Sequence, residues 1–488
     1  MKKISSFILS LCLLFLISPT FFVKAKQDMH DESIYDIIID RFVDGNPANN
    51  GPTNLKEPFM GGDFEGVRTK ASYFKKLRFS YVSLGSLAKA EDYRGKKVVD
   101  YGQLQPYFGT EADYQKMREA LNEEQIKIIA DFPINGVSEK NILIPKGEKA
   151  NWTKPATEKG TINWNLENKQ VKKALMKAAA DYAYHNQVDG IRLTGIQGVD
   201  PTFLNDLMLI LKASNPDLVV LSDNDSDANF DVDYDVGKMR AFQEVFKKPN
   251  TTATSVVKNI REDREVNPRL LMIDDVNNTR FSEHTKISKG ESSPQLKLAL
   301  TTLFTLPGTP IMMYGTENEM SGESPPDTLG MMEFKENNEL TDYIGKLQKI
   351  RSDNPTLRNG SFKLLNHQDG FVAYERYDDK KKWLVVVNNT DQTQQMNLSE
   401  KAIGKNRELV SLLDEEKIYA SPNQKYRIAL DREQAEIFEI QPRKNVEFPY
   451  LSLAVVGTLF VLLMITIVIG GVRKKKGGRN IVYLFKKG

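Results

Sequence analysis

The sequence predicts an α/β protein in which a parallel (β/α)8 barrel of the TIM type is followed by a smaller antiparallel β-domain. The 488-residue chain is too long for one compact core. From Ile34 to about Tyr314, short apolar segments alternate with amphipathic helical segments, in eight units. After residue 359 strand-like segments follow one another without long helices. A doubly wound open sheet would have the same periodicity as the barrel, and periodicity alone leaves both open.

Eight segments have the length and apolar character of buried strands: IYDIIIDRF, FSYVSLGS, IKIIADF, VDGIRL, DLVVLS, NFDVDYDVG, RLLMID and TPIMMYG. The intervening stretches include EADYQKMREALNEE and NKQVKKALMKAAADYAYHN, whose apolar residues recur at helical spacing. We assign residues 26–358 to the barrel. In the second domain, residues 359–442, the segments SFKLLNHQ, GFVAYERYD, KKWLVVVNN and QAEIFEIQP are separated by turn residues, which indicates an antiparallel sheet.

Both ends of the chain carry apolar segments. Residues 1–25 have a basic start, a short apolar run and Ala25 at the end, which indicates a secretory signal peptide; an uncleaved anchor is the alternative. After a polar linker, residues 443–449, the uncharged stretch 450–472 is long enough to span a bilayer. The basic tail, residues 473–488, places that end in the cytoplasm and the body outside the cell. A buried soluble helix is the alternative for 450–472.

The composition narrows the function classes. Of 67 Lys and Arg, seven lie in the tail and three in the signal segment, which leaves 57 against 65 acids and a net charge of −8. An acidic ectodomain argues against a nucleic-acid partner. The single cysteine, Cys12, lies in the signal segment, so the mature chain has no disulfide and no cysteine metal site.

Several motifs, in order, resemble one family. They are IDRFVDGNPANN with GGDFEGV, YRGKKVVDYGQLQPYFGTEADY, IIADFPINGVS, DGIRLTGIQG, VVLSDND, LMIDDVNNTRF and LPGTPIMMYGTENEMSG. Together they resemble the α-amylase family, glycoside hydrolase family 13, with cyclodextrin glucanotransferases and related bacterial amylases as the nearest members. The resemblance covers nearly all of Ile34 to Gln441 and implies sugar chemistry at the C-terminal ends of the barrel strands.

The resemblance also implies catalytic carboxylates, and these are degenerate. Retaining hydrolysis needs an ionised carboxylate nucleophile and a protonated carboxylic acid. The nucleophile position holds Thr194, the acid position holds Asp223, shorter than Glu by one methylene, and the third carboxylate position holds Asn277. A neutral threonine with no adjacent base is a poor nucleophile. No intact catalytic set is therefore expected.

At other motif positions, some residues match the type that the resemblance implies and others do not. Arg94, Gly136, Gly198 and Val276 stand where the resemblance implies imidazoles. Five residues match the substrate-binding pattern: Tyr93, Asp131, Asn135, Arg192 and Asp274. For Asp131 and Asn135, a structural hydrogen bond and a ligand contact are equally open. Because a buried guanidinium without a partner is costly, we expect Arg192 to face Asp131, Asp223, Asp274 or water.

The resemblance further implies a structural calcium site and a shortened wall of the cleft. The calcium ligands would be Asp44, Asn46, Asn49, Asn50, the Gly61 carbonyl and Asp63, oxygen donors that suit a hard cation. Turn formation by the same residue types is the alternative. The family's inserted domain B is reduced to about residues 135–165, where Trp152 and Trp164 either stack on sugars or pack.

These features favour a membrane-anchored extracellular α-amylase-like protein that is catalytically inactive and binds a glycan or a membrane or cell-surface protein partner. Two alternatives stay open. One is a glycoside hydrolase or transglycosidase that acts on α-glucan with a rewired carboxylate site, drawn from Asp223, Asp225, Asp274 and Asp275. The other is a structural protein of the cell envelope.

Overall fold

A computed structural model of the protein describes residues 28–55, 57–258, 260, 267–334, 339–367, 370–443 and 455–470. The strands are β1 Ile34–Asp36, β2 Tyr81–Ser83, β3 Ala88–Ala90, β4 Val98–Leu104, β5 Lys127–Pro133, β6 Val137–Ser138, β7 Thr153–Pro155, β8 Thr161–Trp164, β9 Gly190–Thr194, β10 Val219–Ser222, β11 Leu270–Leu271, β12 Thr309–Met313, β13 Ser361–Asn366, β14 Phe371–Tyr377, β15 Lys382–Asn388, β16 Gln394–Ser399, β17 Arg407–Ser411, β18 Lys417–Tyr419, β19 Lys425–Leu430 and β20 Gln434–Pro442. The helices are α1 Phe64–Thr69, α2 Ala71–Lys76, α3 Glu111–Glu123, α4 Lys149–Trp152, α5 Lys169–Asn186, α6 Pro201–Ser214, α7 Val236–Phe246, α8 Thr254–Val257, α9 Phe281–Ile287, α10 Ser292–Thr305, α11 Glu339–Asp353, α12 Pro355–Asn359, α13 Glu400–Ile403, and α14 over residues 455–470.

The main sheet is parallel and curled, with the strand order β10-β9-β5-β2-β1-β12-β11. In the centre, Ile34 of β1 pairs with Tyr81 of β2 and Ile311 of β12. On one side of β1, the strands β2, β5, β9 and β10 follow in chain order. On the other side lie the last two strands, β12 and β11. A doubly wound sheet has a switch point where the strand order reverses, and this order has none. The observed sheet is therefore not doubly wound; it is a curled sheet of seven strands, whereas the prediction was a closed barrel of eight.

Seven of the eight predicted barrel segments form strands, and the sixth, around NFDVDYDVG, forms isolated bridges instead. Val232 pairs with Leu221 of β10, and Asp233 pairs with Arg269 beside β11. The Asp231 carboxylate accepts the Val220 backbone N–H and pairs with Lys212. Aspartates of this kind suit a strand poorly, since their side chains bond to backbone groups. The bridges nevertheless connect the two edge strands of the sheet through this segment.

The second domain matches its predicted antiparallel character. Its main sheet has the order β13-β14-β15-β20-β17-β18, and β16 pairs with β19 in a separate two-stranded sheet. Side chains alternate along β15: Trp383 and Val385 join the core shared with the barrel, whereas Leu384 and Val386 join a second core within the domain. Because the side-chain period of a strand is two, this strand is buried on both faces and fixes the domain against the barrel.

The shortened domain B folds as a small three-stranded sheet, β6-β8-β7, with the single-turn helix α4. Trp152 and Trp164 are both buried, with exposed fractions of 8% and 3%. Asn165 donates its backbone N–H to the Trp152 carbonyl, which holds the two segments together. Of the two roles left open for these tryptophans, the structure shows packing.

The predicted signal peptide, residues 1–25, and the tail, residues 473–488, lie outside the described residues, as does the linker after Arg443. Of the predicted span 450–472, residues 455–470 are described; they form a helix whose apolar side chains, such as Phe460 and Ile465, are exposed. Within the described part of the chain, no helix is both long enough and apolar enough to cross a membrane.

Candidate functional site

A cavity of about 260 Å³ lies at the C-terminal ends of the parallel strands, and we call it the cleft. Because these ends converge at one face of a curled parallel sheet, side chains far apart in sequence meet there. The predicted positions that line the cleft are Asp131, Asn135, Arg192, Thr194, Asp223, Asp274 and Asn277. Sequence reasoning therefore brought the degenerate catalytic positions and four of the five predicted substrate-binding residues to one site.

Arg192, on β9, is held by two carboxylates. Its Nε and Nη2 donate to the two Asp131 oxygens at 2.7 and 3.0 Å, and its Nη1 and Nη2 donate to the Asp36 oxygens at 3.3 and 3.2 Å. Asp131 was an expected partner, whereas Asp36, at the end of β1, was not. The bidentate geometry places one guanidinium between two acids, which leaves this trio with one net negative charge.

The pKa shifts of this trio follow from burial opposed by charge. Burial lowers the pKa of Arg192, but the Asp131 and Asp36 charges outweigh burial and hold the pKa well above its usual value. Burial raises the pKa of Asp131, and the Arg192 charge only partly offsets that rise. Arg192 thus stays protonated, and its task in this structure is to neutralise two buried aspartates.

Asp223, at the position of the catalytic acid, accepts hydrogen bonds from backbone amides. Its Oδ2 accepts the Gly195 N–H at 2.7 Å, and its Oδ1 faces the Ile196 N–H at 3.5 Å. Both amides belong to the turn that follows Thr194. Burial raises the Asp223 pKa, while these two amide bonds lower it. The carboxyl therefore braces the loop beside the position where a nucleophile would stand.

Two predicted ligand residues serve structural bonds. Asp274 accepts the Phe281 N–H at 2.7 Å and the Thr316 hydroxyl at 2.9 Å. Asn135 donates from Nδ2 to the Gly195 carbonyl at 3.2 Å and accepts the Trp164 N–H at its Oδ1 at 3.0 Å. Both amide ends of Asn135 are thus used by the backbone, which matches the structural alternative for this residue.

Tyr93 does not reach the cleft. Its ring is 1% exposed and lies beneath the Arg41 guanidinium, whose carbon is 3.8 Å from the ring centroid. The stacked cation occupies the ring face that a sugar would use. Tyr93 is therefore the one predicted substrate-binding residue that does not line the cleft.

Among the polar cleft residues that the sequence analysis did not identify are Asp36, Lys96 and Tyr234. Lys96 lies in the turn between β3 and β4, and its Nζ donates to Asn277 Oδ1. The Tyr234 hydroxyl donates to Asp275 Oδ2 at 2.6 Å. A charged residue within an apolar strand segment, as in IYDIII, is a local pattern that could have identified Asp36 as a site residue. The same pattern does not mark Lys96 or Tyr234.

Two family models match this chain. The model described as "Alpha amylase, catalytic domain" matches residues 36–159, and "Alpha-amylase C-terminal domain" matches residues 360–438. Both domains of the chain are therefore similar to the α-amylase family. The catalytic-domain match runs from the end of β1 into domain B, and Thr194, Asp223 and Asn277 lie beyond it.

Relatives within the α-amylase family align over most of the chain. The maltogenic alpha-amylase of Bacillus acidopullulyticus is 24% identical over 428 residues, which is 77% of this chain and 72% of that protein. The cyclomaltodextrinase of Thermoanaerobacter pseudethanolicus is 26% identical over 428 residues, with 77% and 73% covered.

Two solved α-amylases share the fold over nearly the whole body of the chain. The Anoxybacillus alpha-amylase superposes with a TM-score of 0.79 at 26% identity, and covers 86% of this chain and 100% of its own. The alpha-amylase of Geobacillus thermoleovorans, solved with acarbose, gives 0.79 at 27% identity with the same coverage. The curled parallel sheet and the C-terminal antiparallel sheet are therefore those of an α-amylase fold.

The first loop gathers the predicted calcium ligands in space. Asp63 accepts backbone N–H groups from Gly45, Asn46 and Gly66, and so also caps α1. Asn50 donates to Asp44 Oδ2 at 3.0 Å. The described residues contain no group of three or more His, Cys, Asp or Glu that could hold a metal, so a site here needs amide and carbonyl oxygens in addition to its two carboxylates.

A cation fits two oxygen atoms of this loop. Asp44 Oδ1 and Asn49 Oδ1 are buried and lack a hydrogen-bond donor. A buried oxygen without a donor costs about 1–3 kcal/mol, which a hard cation removes. Gly61 has φ of +94°, and a Cβ there would lie 2.7 Å from Asn50 Oδ1, so only glycine brings this backbone so close.

Proposed function

We propose that this α-amylase-like protein is a membrane-anchored extracellular protein whose cleft binds a glycan without hydrolysing it. The observation that carries the proposal is Thr194, which stands at the end of β9 where the resemblance places a carboxylate nucleophile. A threonine hydroxyl is neutral near pH 7 and is a weak nucleophile without an adjacent base. The glycosyl-enzyme bond of a retaining glycosidase then has no group to form it.

The neighbours of Thr194 support the same proposal. Arg192 is engaged by Asp131 and Asp36, and Asp223 is engaged by the Gly195 and Ile196 amides. Each retained polar group therefore has a structural partner. A glycan is favoured over a protein partner because the cleft is a small concavity with several converging polar side chains, at the face where barrel proteins bind small ligands.

A rewired glycosidase is the second candidate, and one observation favours it. Burial raises the pKa of Asp223, as a general acid near neutral pH requires. Asp275 lies in the same cleft, and its carboxylate is bonded by Tyr234 and Asn278. In this second scheme Asp223 would be the proton donor.

Hydrolysis assays separate the two candidates. We expect the full chain, supplied with calcium, to bind an α-glucan or cell-wall oligosaccharide in calorimetry and to release no reducing ends. Thr194→Asp alone should not restore family-level activity, because Asp223 and Asn277 remain unchanged and a proton donor misplaced by ~1 Å costs ~100-fold.

Reducing-end release by the unmodified chain that Asp223→Asn abolishes would establish the rewired enzyme and overturn our proposal. Robust hydrolysis by Thr194→Asp would likewise contradict it. Absence of both binding and hydrolysis would direct attention to a protein partner in the membrane or to a structural role in the envelope.

We also propose that the first loop binds one structural calcium ion. Asp44, Asn46, Asn49, Asn50, Asp63 and the Gly61 carbonyl would hold it. The oxygens of Asp44 and Asn49 that lack donors support this assignment. The ion would tie the loop to the start of α1 and take no part in chemistry in the cleft.

We further propose that residues 450–472 anchor the protein, with the body outside the cell and residues 473–488 in the cytoplasm. The stretch is uncharged over its length and is followed by a tail with seven Lys and Arg and no acid. Large apolar side chains of the helix over 455–470 are exposed around it, as in Phe460, Leu462 and Ile465. Such a surface needs an apolar environment.

A further inference from the structure

We infer that the cleft selects saccharides that carry an anionic substituent, a carboxylate or a phosphate ester, and that Lys96 and Arg94 are the selecting residues. The inference rests on the proposed function, since it names the class of glycan that the cleft would bind. It comes from the unequal use of hydrogen-bond donors and acceptors within the cleft.

The carboxylates Asp36, Asp131, Asp223 and Asp275 of the cleft each accept hydrogen bonds from other groups of the protein. Both carboxylates beside Arg192, Asp36 and Asp131, take its guanidinium N–H groups. The Asp223 carboxyl takes backbone amides, as described above. Asp275 accepts the Tyr234 hydroxyl at 2.6 Å and the Asn277 backbone N–H at 2.8 Å. A neutral sugar hydroxyl that donates a hydrogen bond to these carboxylates competes with the donors that the protein already supplies.

The two cations of the β3–β4 turn, in contrast, keep unused donors. Lys96 has three N–H donors, and its hydrogen bond goes to a neutral amide oxygen, Asn277 Oδ1. Arg94 Nε is buried without an acceptor. The carboxylates nearest to Arg94, those of Glu57 and Asp92, lie 3.7 and 3.9 Å away, beyond hydrogen-bond distance. Both side chains line the cleft.

The turn that carries these cations is held in place. Gly95, between them, has φ of +69°, and a Cβ there would lie 2.8 Å from Ser86 Cβ. Glu91 pairs with Lys140 at 2.7 Å, and Lys97 pairs with Glu158 at 2.6 Å, both across to domain B. Because the turn is fixed before a ligand arrives, little conformational entropy is lost when its cations bind an anion.

The two cations also repel one another. Burial and then the Arg94 charge lower the pKa of Lys96, and together they outweigh Asp92, Asp223 and Asp275. An anionic oxygen within reach of both groups would relieve this repulsion and accept the unused donors. Charge-assisted hydrogen bonds of this kind are about twice as strong as neutral ones.

A matched series of trisaccharides tests the inference on the full chain in detergent. The probes are maltotriose, maltotriose oxidised at one C6 to a carboxylate, and maltotriose 6-phosphate, with Kd measured by calorimetry. We expect at least one anionic probe to bind about tenfold more tightly than maltotriose, and the preference to weaken with added salt. Which anionic probe binds identifies the substituent as carboxylate or phosphate.

Three variants assign the preference to residues. Lys96→Met and Arg94→Met should each remove the preference for the anion while thermal unfolding shows a folded protein. Lys89→Met is the matched control, because Lys89 lies on the neighbouring strand β3 with equal charge, contacts Gln103 at 3.4 Å and does not line the cleft. This control should keep the preference.

The failures are distinguishable. Maltotriose binding as tightly as the anionic probes would overturn the inference and leave glycan binding intact. A preference that survives both Lys96→Met and Arg94→Met would overturn the assignment of these residues. If none of the three probes binds, this inference is overturned. Calorimetry with other α-glucans and with cell-wall oligosaccharides then decides whether glycan binding itself fails.

Discussion

Arg192 holds two carboxylates, Asp36 and Asp131, that share one cation in a buried site. The side chain of Arg192 is 12% exposed, and those of Asp36 and Asp131 are 7% and 16% exposed. Removing one member of such a buried group leaves uncompensated charge, which is more costly than the group's net contribution. The trio is therefore a sensitive point for stability, whatever the cleft binds.

We predict that Arg192→Met lowers the free energy of unfolding by about 3–5 kcal/mol near pH 7. Without the guanidinium, the pKa of Asp131, which burial already raises, should rise further. Folding then favours the protonated acid, so the variant's deficit shrinks as the pH falls towards about 4. Denaturant titrations of both proteins across this pH range provide the measurement.

The control for this prediction is Arg192→Lys, which keeps one charge but cannot make two bidentate pairs. It should lose less stability than Arg192→Met. A deficit for Arg192→Met that grows towards acid pH would contradict the account, because it would mean that the carboxylates do not need the cation.

At the scale of elements, the polar side chains of the loop between β1 and α1 have two roles: some cap turns and helices, and others are the proposed calcium ligands. Asp63 caps α1 through the Gly66 N–H at 2.7 Å, and Asn46 caps the short 3₁₀ turn Pro47–Asn49 through the Ala48 N–H. These bonds account for part of the loop's Asp and Asn content without a metal. Asp44 Oδ1 and Asn49 Oδ1 are the atoms that turn chemistry leaves without donors.

We predict that removing calcium with a chelator lowers the midpoint of thermal unfolding. A site saturated at a hundred times its Kd adds about 2.7 kcal/mol to the folded state. Asp44→Ala should abolish the calcium response, whereas Asp379→Asn, an exposed turn residue of the second domain, should preserve it. Differential scanning calorimetry with and without calcium gives the comparison. An equal midpoint in both conditions would remove calcium from the loop.

For the whole molecule, two buried arginines bind backbone carbonyls, Arg351 within the barrel and Arg376 between the second domain and the barrel. Arg351 of α11 donates to the His30 and Gly308 carbonyls, and Arg376 of β14 donates to the Thr305 and Gly360 carbonyls. Burial lowers their pKa values to about 9 and about 10. Both side chains remain charged at neutral pH. They donate hydrogen bonds to backbone carbonyls near the ends of helices and strands, where these carbonyls have no partner within their own element.

We predict that the full chain fractionates with membranes and resists extraction by salt and alkali, and that a chain ending at Pro442 is released. Leu462→Arg should weaken the anchor, since a charge near the middle of a span costs about 2.5–3.5 kcal/mol, whereas Leu462→Ala should not. Protease added outside intact cells should digest the body and spare the tail. Recovery of the full chain in the soluble fraction would contradict the proposed anchor.

The sequence by itself determined the order of elements, because apolar period and turn residues are local properties. Seven predicted barrel segments became strands, and the exception, around Val232, is the segment whose aspartates bond to backbone and lysine. The motif order also determined which positions meet in the cleft. Thr194, Asp223 and Asn277 could be singled out without coordinates, since each follows a recognisable apolar strand.

Only the tertiary structure decided which partner each of these groups takes. Arg192 meets Asp36 across 156 residues, and Lys96 meets Asn277 across 181. No local pattern specifies such pairs, because they arise from the convergence of strand ends in a curled sheet and from the reach of one turn over them. The same convergence buried Tyr93 beneath Arg41 and turned Asp223 onto the loop after Thr194. Side-chain direction in a packed site is set by neighbours that sequence spacing does not reveal.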